Sequence, residues 1–232
     1  MNRILSIVIP VYNEKNTIKA LIKAVEEAKL VNIEKEILII DDFSTDGTRE
    51  ILKNFSTKYT VLFHDVNKGK GAALRTGFQK AKGDYIIIQD ADLEYDPEEY
   101  QVLLEPVLAG KADVVYGSRF MGNKPHRVIF FWHSMGNKFL TLLSNMLTDL
   151  NLTDMETCYK LFTRQALEEV APKLTSNRFA IEPEITARVA QSKLRIYEVG
   201  ISYSGRSYAE GKKIGWKDGV SAIWAIIKFN VF

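Results

Sequence analysis

Asp84-Tyr85-Ile86-Ile87-Ile88-Gln89-Asp90-Ala91-Asp92-Leu93-Glu94 is the stretch on which the reading of this chain turns. A short β-branched run reads as a buried strand, and it ends in two carboxylates separated by one residue. The same pattern recurs on both sides of it. Apolar runs at about 4–10, 36–41, 60–64, 84–90 and 112–117 predict strands, and stretches with helical spacing at about 16–30, 47–55, 70–82 and 97–109 predict the helices between them. Strands that alternate with helices are βαβ units, so the fold class is α/β with a mostly parallel central sheet flanked by helices. Ligands of open α/β sheets bind at the carboxyl ends of the strands, where Asp90 and Asp92 fall. An Asp-x-Asp triplet in isolation is commonly a solvated turn. After a buried strand it can instead present two hard oxygen ligands to a divalent ion that also holds a diphosphate, with Glu94 as a third or an orienting group.

Composition bounds the rest. The 232 residues suffice for one large domain with a full core, and 46% hydrophobic against 26% charged residues excludes disorder as the main state. Lys and Arg number 31 against 29 Asp and Glu, a net charge of +2, so nothing in the overall field points to nucleic acid, and any anion site must be local. The single cysteine, Cys158, excludes an internal disulfide and a multi-cysteine zinc site, lacks the surroundings of a nucleophile, and suits a reducing compartment. The run Ile4 to Pro10 comes too early and is too short for a secretory signal. No stretch reaches the roughly 18–20 apolar residues of a spanning helix. A cytoplasmic location is therefore expected.

Four further segments bear on chemistry. Pro10-Val11-Tyr12-Asn13-Glu14 closes the first strand with a ring that can stack on a nucleobase or simply pack. Asp41-Asp42-Phe43-Ser44-Thr45-Asp46-Gly47-Thr48 closes the second, where Asp41 or Asp42 can meet a base or ribose and Ser44 or Asp46 can cap a helix. Asn67-Lys68-Gly69-Lys70-Gly71 opens a helix, a place where amides can face phosphate. It lacks the third glycine of a dinucleotide fingerprint, and no P-loop occurs. Arg119 after the fifth strand, Arg127, and Arg206 with Lys212 and Lys213 are candidate phosphate ligands, the arginines through a planar donor fork. His64, His126 and His133 show no ligand spacing and are expected at the surface or internally satisfied.

The second half of the chain is less regular. From Val128 to Leu150, with Phe130, Phe131, Trp132, Phe139, Leu142 and Met146, the sequence predicts a helix apolar over a wide face; a core position is favoured, with a membrane interface as the rival. Helices near 164–171 and 182–192, a strand at 194–203 and a final helix near 214–228 follow. The terminal segment, Trp216 to Phe232, suits packing on the sheet and amphipathic membrane contact equally.

Taken in order, Ile7-Val8-Ile9-Pro10-Val11-Tyr12-Asn13-Glu14, the segment Asp41 to Thr48, Asn67 to Ala73, Asp90-Ala91-Asp92-Leu93-Glu94 and Gly117-Ser118-Arg119-Phe120 resemble glycosyltransferase family 2. Within it they resemble the inverting dolichol- or polyprenol-phosphate sugar transferases. The resemblance is dense over the first 120 residues and looser through Asp154-Met155-Glu156-Thr157-Cys158-Tyr159-Lys160 and Arg206. It implies one GT-A domain over residues 1–232, with a nucleotide-sugar and metal half (1–120) and an acceptor half (121–232). It also implies a donor held by Pro10, Tyr12, Glu14 and Asp42, with Lys68, Gly71, Asp90 and Ala91 completing the pocket. Mg or Mn would sit on Asp90 and Asp92, with Glu94 standing where the branch usually has Gln.

The activity so implied is transfer of mannose or glucose from GDP-mannose or UDP-glucose to a polyprenyl or dolichyl monophosphate. Asp92 and the arginines Arg119, Arg127 and Arg206 would carry it, and contact with a membrane surface or a membrane-anchoring partner would bring the lipid acceptor. A phosphate acceptor needs no general base. Transfer to a sugar hydroxyl is the rival, with Asp154 or Glu156 as base, and a non-catalytic nucleotide-sugar-binding subunit of a membrane complex is the alternative of another class.

Overall fold

In the computed structural model the described residues are 3–122, 124–125, 127–128, 130–206 and 215–232, without the side chains of Trp216 and Lys217. His126, Lys212 and Lys213 lie outside them. The chain runs β1 (Arg3–Val11), α1 (Ile18–Glu27), β2 (Ile33–Asp41), α2 (Thr48–Lys53), β3 (Thr60–Phe63), α3 (Lys70–Lys80), β4 (Tyr85–Ile88), α4 (Tyr100–Leu108) and β5 (Val114–Ser118). It continues α5 (Phe131–Thr148), β6 (Lys160–Thr163), α6 (Arg164–Val170), α7 (Ile181–Gln191), β7 (Ile196–Gly200) and α8 (Trp216–Val231). Seven strands form one sheet in the order β3-β2-β1-β4-β6-β5-β7. All pairs are parallel except those made by β6, which is antiparallel to both β4 and β5.

The interior strands are buried on both faces, as β-branched runs without alternation require. Ile7, Val8, Ile9, Leu38, Ile39, Ile40, Ile86, Ile87 and Ile88 are all fully buried. Pro10 is tolerated in the central strand for a local reason. Val8 and Pro10 turn their backbone groups toward β4, and pairing with β4 ends at Val8 and Ile88, so no ladder partner waits for the N–H that proline lacks. β6 was not foreseen from the sequence. It has only four residues, and it forms because its buried Leu161 and Phe162 fill the gap between β4 and β5.

The core reading of the segment 128–150 is overturned. α5 is held by its polar face: Thr141 and Ser144 are its buried residues, Met155 N donates to Thr141 Oγ1 at 3.2 Å, and Asn145 exchanges hydrogen bonds with the backbone of Leu152 at 2.8 and 3.1 Å. The apolar residues Trp132, Met135, Phe139, Leu142 and Met146, spaced alternately three and four apart, form one stripe on the outside, with Trp132 81% and Met146 71% exposed. α8 divides its two faces. Ala225 and Phe229 pack on Ala187 of α7, while Val220, Trp224 and Val231 are exposed. No helix of the described residues is long and apolar enough to cross a membrane.

Candidate active site

The carboxyl ends of β1, β2 and β4 lie side by side because the strands are parallel and in register. They bring Tyr12, Glu14, Asp41, Asp42, Asp90 and Asp92 to one edge. Tyr12 is 40% exposed at this mouth, whereas Glu14 and Asp42 are buried.

Asp42 does not face the pocket as a free acceptor. Its Oδ1 accepts from Lys68 N at 2.9 Å and lies 2.8 Å from His64 Nδ1, and its Oδ2 accepts from Gly69 N at 2.6 Å. The carboxylate thus pins the start of the glycine-rich loop, and His64 is satisfied inside the fold. Asp41 is likewise engaged, 2.9 Å from Arg49 Nε.

The loop differs from the expected phosphate cradle. Ala72 N donates to Asn177 O at 3.1 Å and Ala73 N to Gly69 O at 3.1 Å, so with Lys68 and Gly69 bound to Asp42 these amides are turned inward. Its glycines are needed for close approach. A Cβ on Gly69, where φ is +96°, would run into the carbonyl oxygen of Asn177, and one on Gly71 into that of Ser176. Gly71→Ala is therefore expected to cost about 1–3 kcal/mol of stability through overpacking, read as a lowered urea midpoint.

Two charged clusters occupy the Asp-x-Asp turn. In the inner one, Lys70 Nζ lies 2.8 and 2.9 Å from the two oxygens of Asp90 and 2.9 Å from Glu182 Oε1. Glu182 Oε2 in turn accepts from the fully buried Lys160 at 2.5 Å. In the outer cluster Arg206 donates to both oxygens of Glu14 and to Asp92 Oδ2, each at 3.2 Å. Glu94 is bound on both oxygens, by Tyr203 OH at 2.7 Å and Arg206 N at 2.7 Å. Glu94 thereby braces the segment 203–206, and the carbonyl of Ala91 is held by Thr17 Oγ1 at 2.8 Å.

Asp92 differs from its neighbours. Burial first, then the charges of Asp90 and Glu94, outweigh the attraction of Arg206 and push its carboxyl up to about 7. A half-buried carboxylate short of positive charge fits a divalent cation, and hard oxygen is the right chemistry for Mg or Mn. Asp92 fits that ion; both oxygens of Asp90 are already on an ammonium. Among the described residues no group of three or more ligating side chains converges to hold an ion without substrate oxygens.

The arginines meet on the segment 203–206. Arg119 stands over the Tyr203 ring at 5.1 Å, Arg127 N donates to Tyr203 O at 2.7 Å, and Arg127 NH1 donates to Gly205 O at 3.0 Å. Arg119, however, is bound in bidentate fashion to the fully buried Asp154, with both bonds at 2.7 Å. This changes two expectations: the fork of Arg119 is largely filled, and Asp154 is an ion-pair partner and not a free base. Asn137 of α5 adds a bond to Asp154 at 3.3 Å, which ties the exposed helix to this side of the site. Glu156 stays uncommitted on one side. Its Oε1 is buried without a hydrogen-bond partner, and burial followed by the charge of Glu182 pushes the carboxyl up to about 7.

Lys70, Glu182, Lys160 and Tyr203 were not singled out from the sequence. Lys70 and Lys160 each stand inside a quoted motif, but nothing local links Lys70 to Asp90 or Lys160 to Glu182, and Glu182 falls in a stretch read only as a helix.

This sheet, with acidic residues at the carboxyl ends of its parallel strands, is the GT-A arrangement of nucleotide-sugar transferases. The sequence matches Glycosyl transferase family 2 over residues 6–171, and the chain belongs to that family. It is a glycosyltransferase. A UDP-N-acetylglucosamine–dolichyl-phosphate N-acetylglucosaminyltransferase of Methanococcus voltae is 27% identical over 233 residues, covering 92% of this chain and 91% of the relative. A low-salt glycan biosynthesis hexosyltransferase of Haloferax volcanii is 32% identical over 92% of this chain, which spans about half (51%) of that protein. A dolichyl-phosphate beta-glucosyltransferase of Trichomonas vaginalis is 26% identical over 98% of this chain and 73% of its own length. Among solved structures, glucosyl-3-phosphoglycerate synthase of Mycobacterium tuberculosis, in complex with Mn2+, UDP and phosphoglyceric acid, superposes with a TM-score of 0.76 at 18% identity. That match covers 99% of this chain and 79% of the synthase, and it establishes the shared fold.

Proposed function

We propose that this glycosyltransferase moves a hexose, mannose or glucose, from a nucleotide diphosphate sugar to a polyprenyl or dolichyl monophosphate, with inversion at the anomeric carbon. Residues 1–232 act as one domain, donor half first. The observation that carries the reading is α5, which is tied to the Asp154–Arg119 pair through Asn137 on its inner face and leaves its apolar stripe exposed on the opposite face. An exposed apolar surface on a helix whose other face is fixed to an arginine-bearing edge suits an acceptor with a charged head and a hydrocarbon tail. Two of the relatives carry dolichyl phosphate in their names.

A phosphate monoester has a second pKa of about 6, so near neutrality its oxygen is already a nucleophile. That oxygen bonds to the anomeric carbon as the bond to the donor diphosphate breaks, and nucleoside diphosphate leaves. Tyr12 stacks on the base. Asp92, with the donor diphosphate, would hold Mg or Mn, which when bound neutralises the leaving group. Arg127 and Arg206 would hold the acceptor phosphate, Arg206 from between it and the donor-side Glu14 and Asp92, and Arg119, through Tyr203 and Asp154, keeps the segment 203–206 in place. The test is metal-dependent release of nucleoside diphosphate with a short polyprenyl phosphate across GDP-mannose, UDP-glucose and UDP-N-acetylglucosamine. No transfer from any donor, in protein that binds nucleotide, would overturn the reading.

The rival acceptor, a sugar hydroxyl, has one observation in its favour: the uncommitted Glu156 carboxyl with its raised pKa is suited to accept a proton. Glu156→Gln separates the two readings. Turnover on polyprenyl phosphate should persist in that variant, whereas a hydroxyl transferase would lose it.

Peripheral membrane contact follows from the same helix. Phe139→Glu and Met146→Glu, both on the exposed stripe, are expected to abolish flotation with anionic liposomes while changing stability by no more than about 0.5 kcal/mol. Undiminished flotation in both variants would remove α5 from the contact.

A further inference from the structure

We propose that Lys70 is the resident counterion of Asp90, so that a divalent cation meets one available carboxylate, Asp92, until diphosphate oxygens join it. The inference rests on the donor-site reading above. Its basis is geometric. Lys70 is the first residue of α3, and its ammonium lies 2.8 and 2.9 Å from the two oxygens of Asp90. The loop before it is fixed by Asp42 through the amides of Lys68 and Gly69, which sets the backbone position from which the ammonium reaches Asp90.

Glu182 closes the arrangement. One of its oxygens is 2.9 Å from Lys70 and the other 2.5 Å from Lys160, so Asp90, Lys70, Glu182 and Lys160 alternate in sign as a charge-balanced chain. Lys70 is 13% exposed and Lys160 is fully buried, so solvent does little to weaken the pairing. Asp92 belongs to a different cluster. Among the described residues its Oδ1 takes the Glu94 amide alone, at 3.2 Å, and its Oδ2 shares Arg206 with Glu14. A hard divalent ion needs several oxygens, and one carboxylate is a poor start. Donor diphosphate would supply the remainder, which makes cation and nucleotide binding interdependent. Lys70 is thus a positioning residue that acts through Asp90.

The test is Mn2+ binding to the whole chain, followed by the paramagnetic resonance signal of free Mn2+, first without nucleotide and then with UDP or GDP. Lys70→Met frees Asp90 as a second ligand and is expected to tighten nucleotide-free Mn2+ binding by about tenfold. Lys70→Met combined with Glu182→Gln removes one charge of each sign and likewise frees Asp90, and this variant should show the same gain even where the single change fails to fold. Glu182→Gln alone leaves Lys70 wholly to Asp90 and should give no gain. The proposal is overturned by a folded Lys70→Met or double variant that binds Mn2+ no more tightly than the wild type, or by Glu182→Gln gaining as much as they do. Wild-type protein that binds neither UDP nor GDP in the presence of Mn2+ would overturn the donor-site reading instead, since the nucleotide-free comparison is made without donor.

Discussion

Arg119→Ala is expected to destabilise the protein by about 3–5 kcal/mol, measured by urea unfolding, before it reports on any acceptor. Asp154 is fully buried, and Arg119 supplies three of its hydrogen bonds: Nε and NH2 at 2.7 Å and the backbone N at 3.0 Å. Removing the guanidinium leaves an uncompensated carboxylate in the interior, a loss comparable to the whole stability of a marginal domain, roughly 5–15 kcal/mol. The direct test of a phosphate role that the sequence suggests is therefore confounded. The double variant Arg119→Met with Asp154→Leu separates the two effects. It should recover most of the lost stability, because neither charge remains, and transfer assayed in that variant then speaks to catalysis. An Arg119→Ala protein as stable as the wild type would mean that the pair contributes nothing to the fold.

Asp92→Asn is expected to lower transfer by about 10²–10³-fold, the scale of several kcal/mol of charge stabilisation at the leaving diphosphate. It should also change how stability depends on pH in metal-free protein. The folded-state pKa of Asp92 is raised from 3.8 to about 7, so the folded state holds this proton more tightly than the unfolded state does. The stabilisation is complete below pH 4 and is lost as pH rises through 7, on the order of 4 kcal/mol at most. Glu156, raised from 4.5 to about 7, acts in the same sense over nearly the same window. Urea unfolding between pH 4 and 8 should show metal-free wild type weakening toward pH 8, a shallower slope in Asp92→Asn, and restoration by Mn2+ together with UDP or GDP in the wild type only. A slope unchanged by Asp92→Asn would sink this account of the site.

How far the sequence reaches depends on the range of the interactions involved. The βαβ alternation of the first half rests on side-chain period and short connections, and all five strands expected there are present, with helix ends displaced by a few residues. β6 escaped because four residues carry too little pattern to be told from a loop, and its strand character comes from the neighbours it pairs with on each side. The helix at 131–148 was legible as a helix, but its orientation was not. Hydrophobic spacing says that one face is apolar without saying which face meets the protein, and here Thr141, Ser144 and Asn145 make the attachment.

The candidate site divides along the same line. That acidic residues gather at the carboxyl ends of β1, β2 and β4 follows from parallel pairing, which the sequence determined by itself through strand pattern and connection length. What each of those residues does was decided by tertiary contacts. Asp42 is turned to its own loop, Asp90 to Lys70, Glu94 to Tyr203 and Arg119 to Asp154, each pair separated by 20 or more residues along the chain. Side-chain charge can be read from one position, but the partner that fixes its direction and its pKa is set by how distant segments pack, and only the folded chain brings those segments within reach.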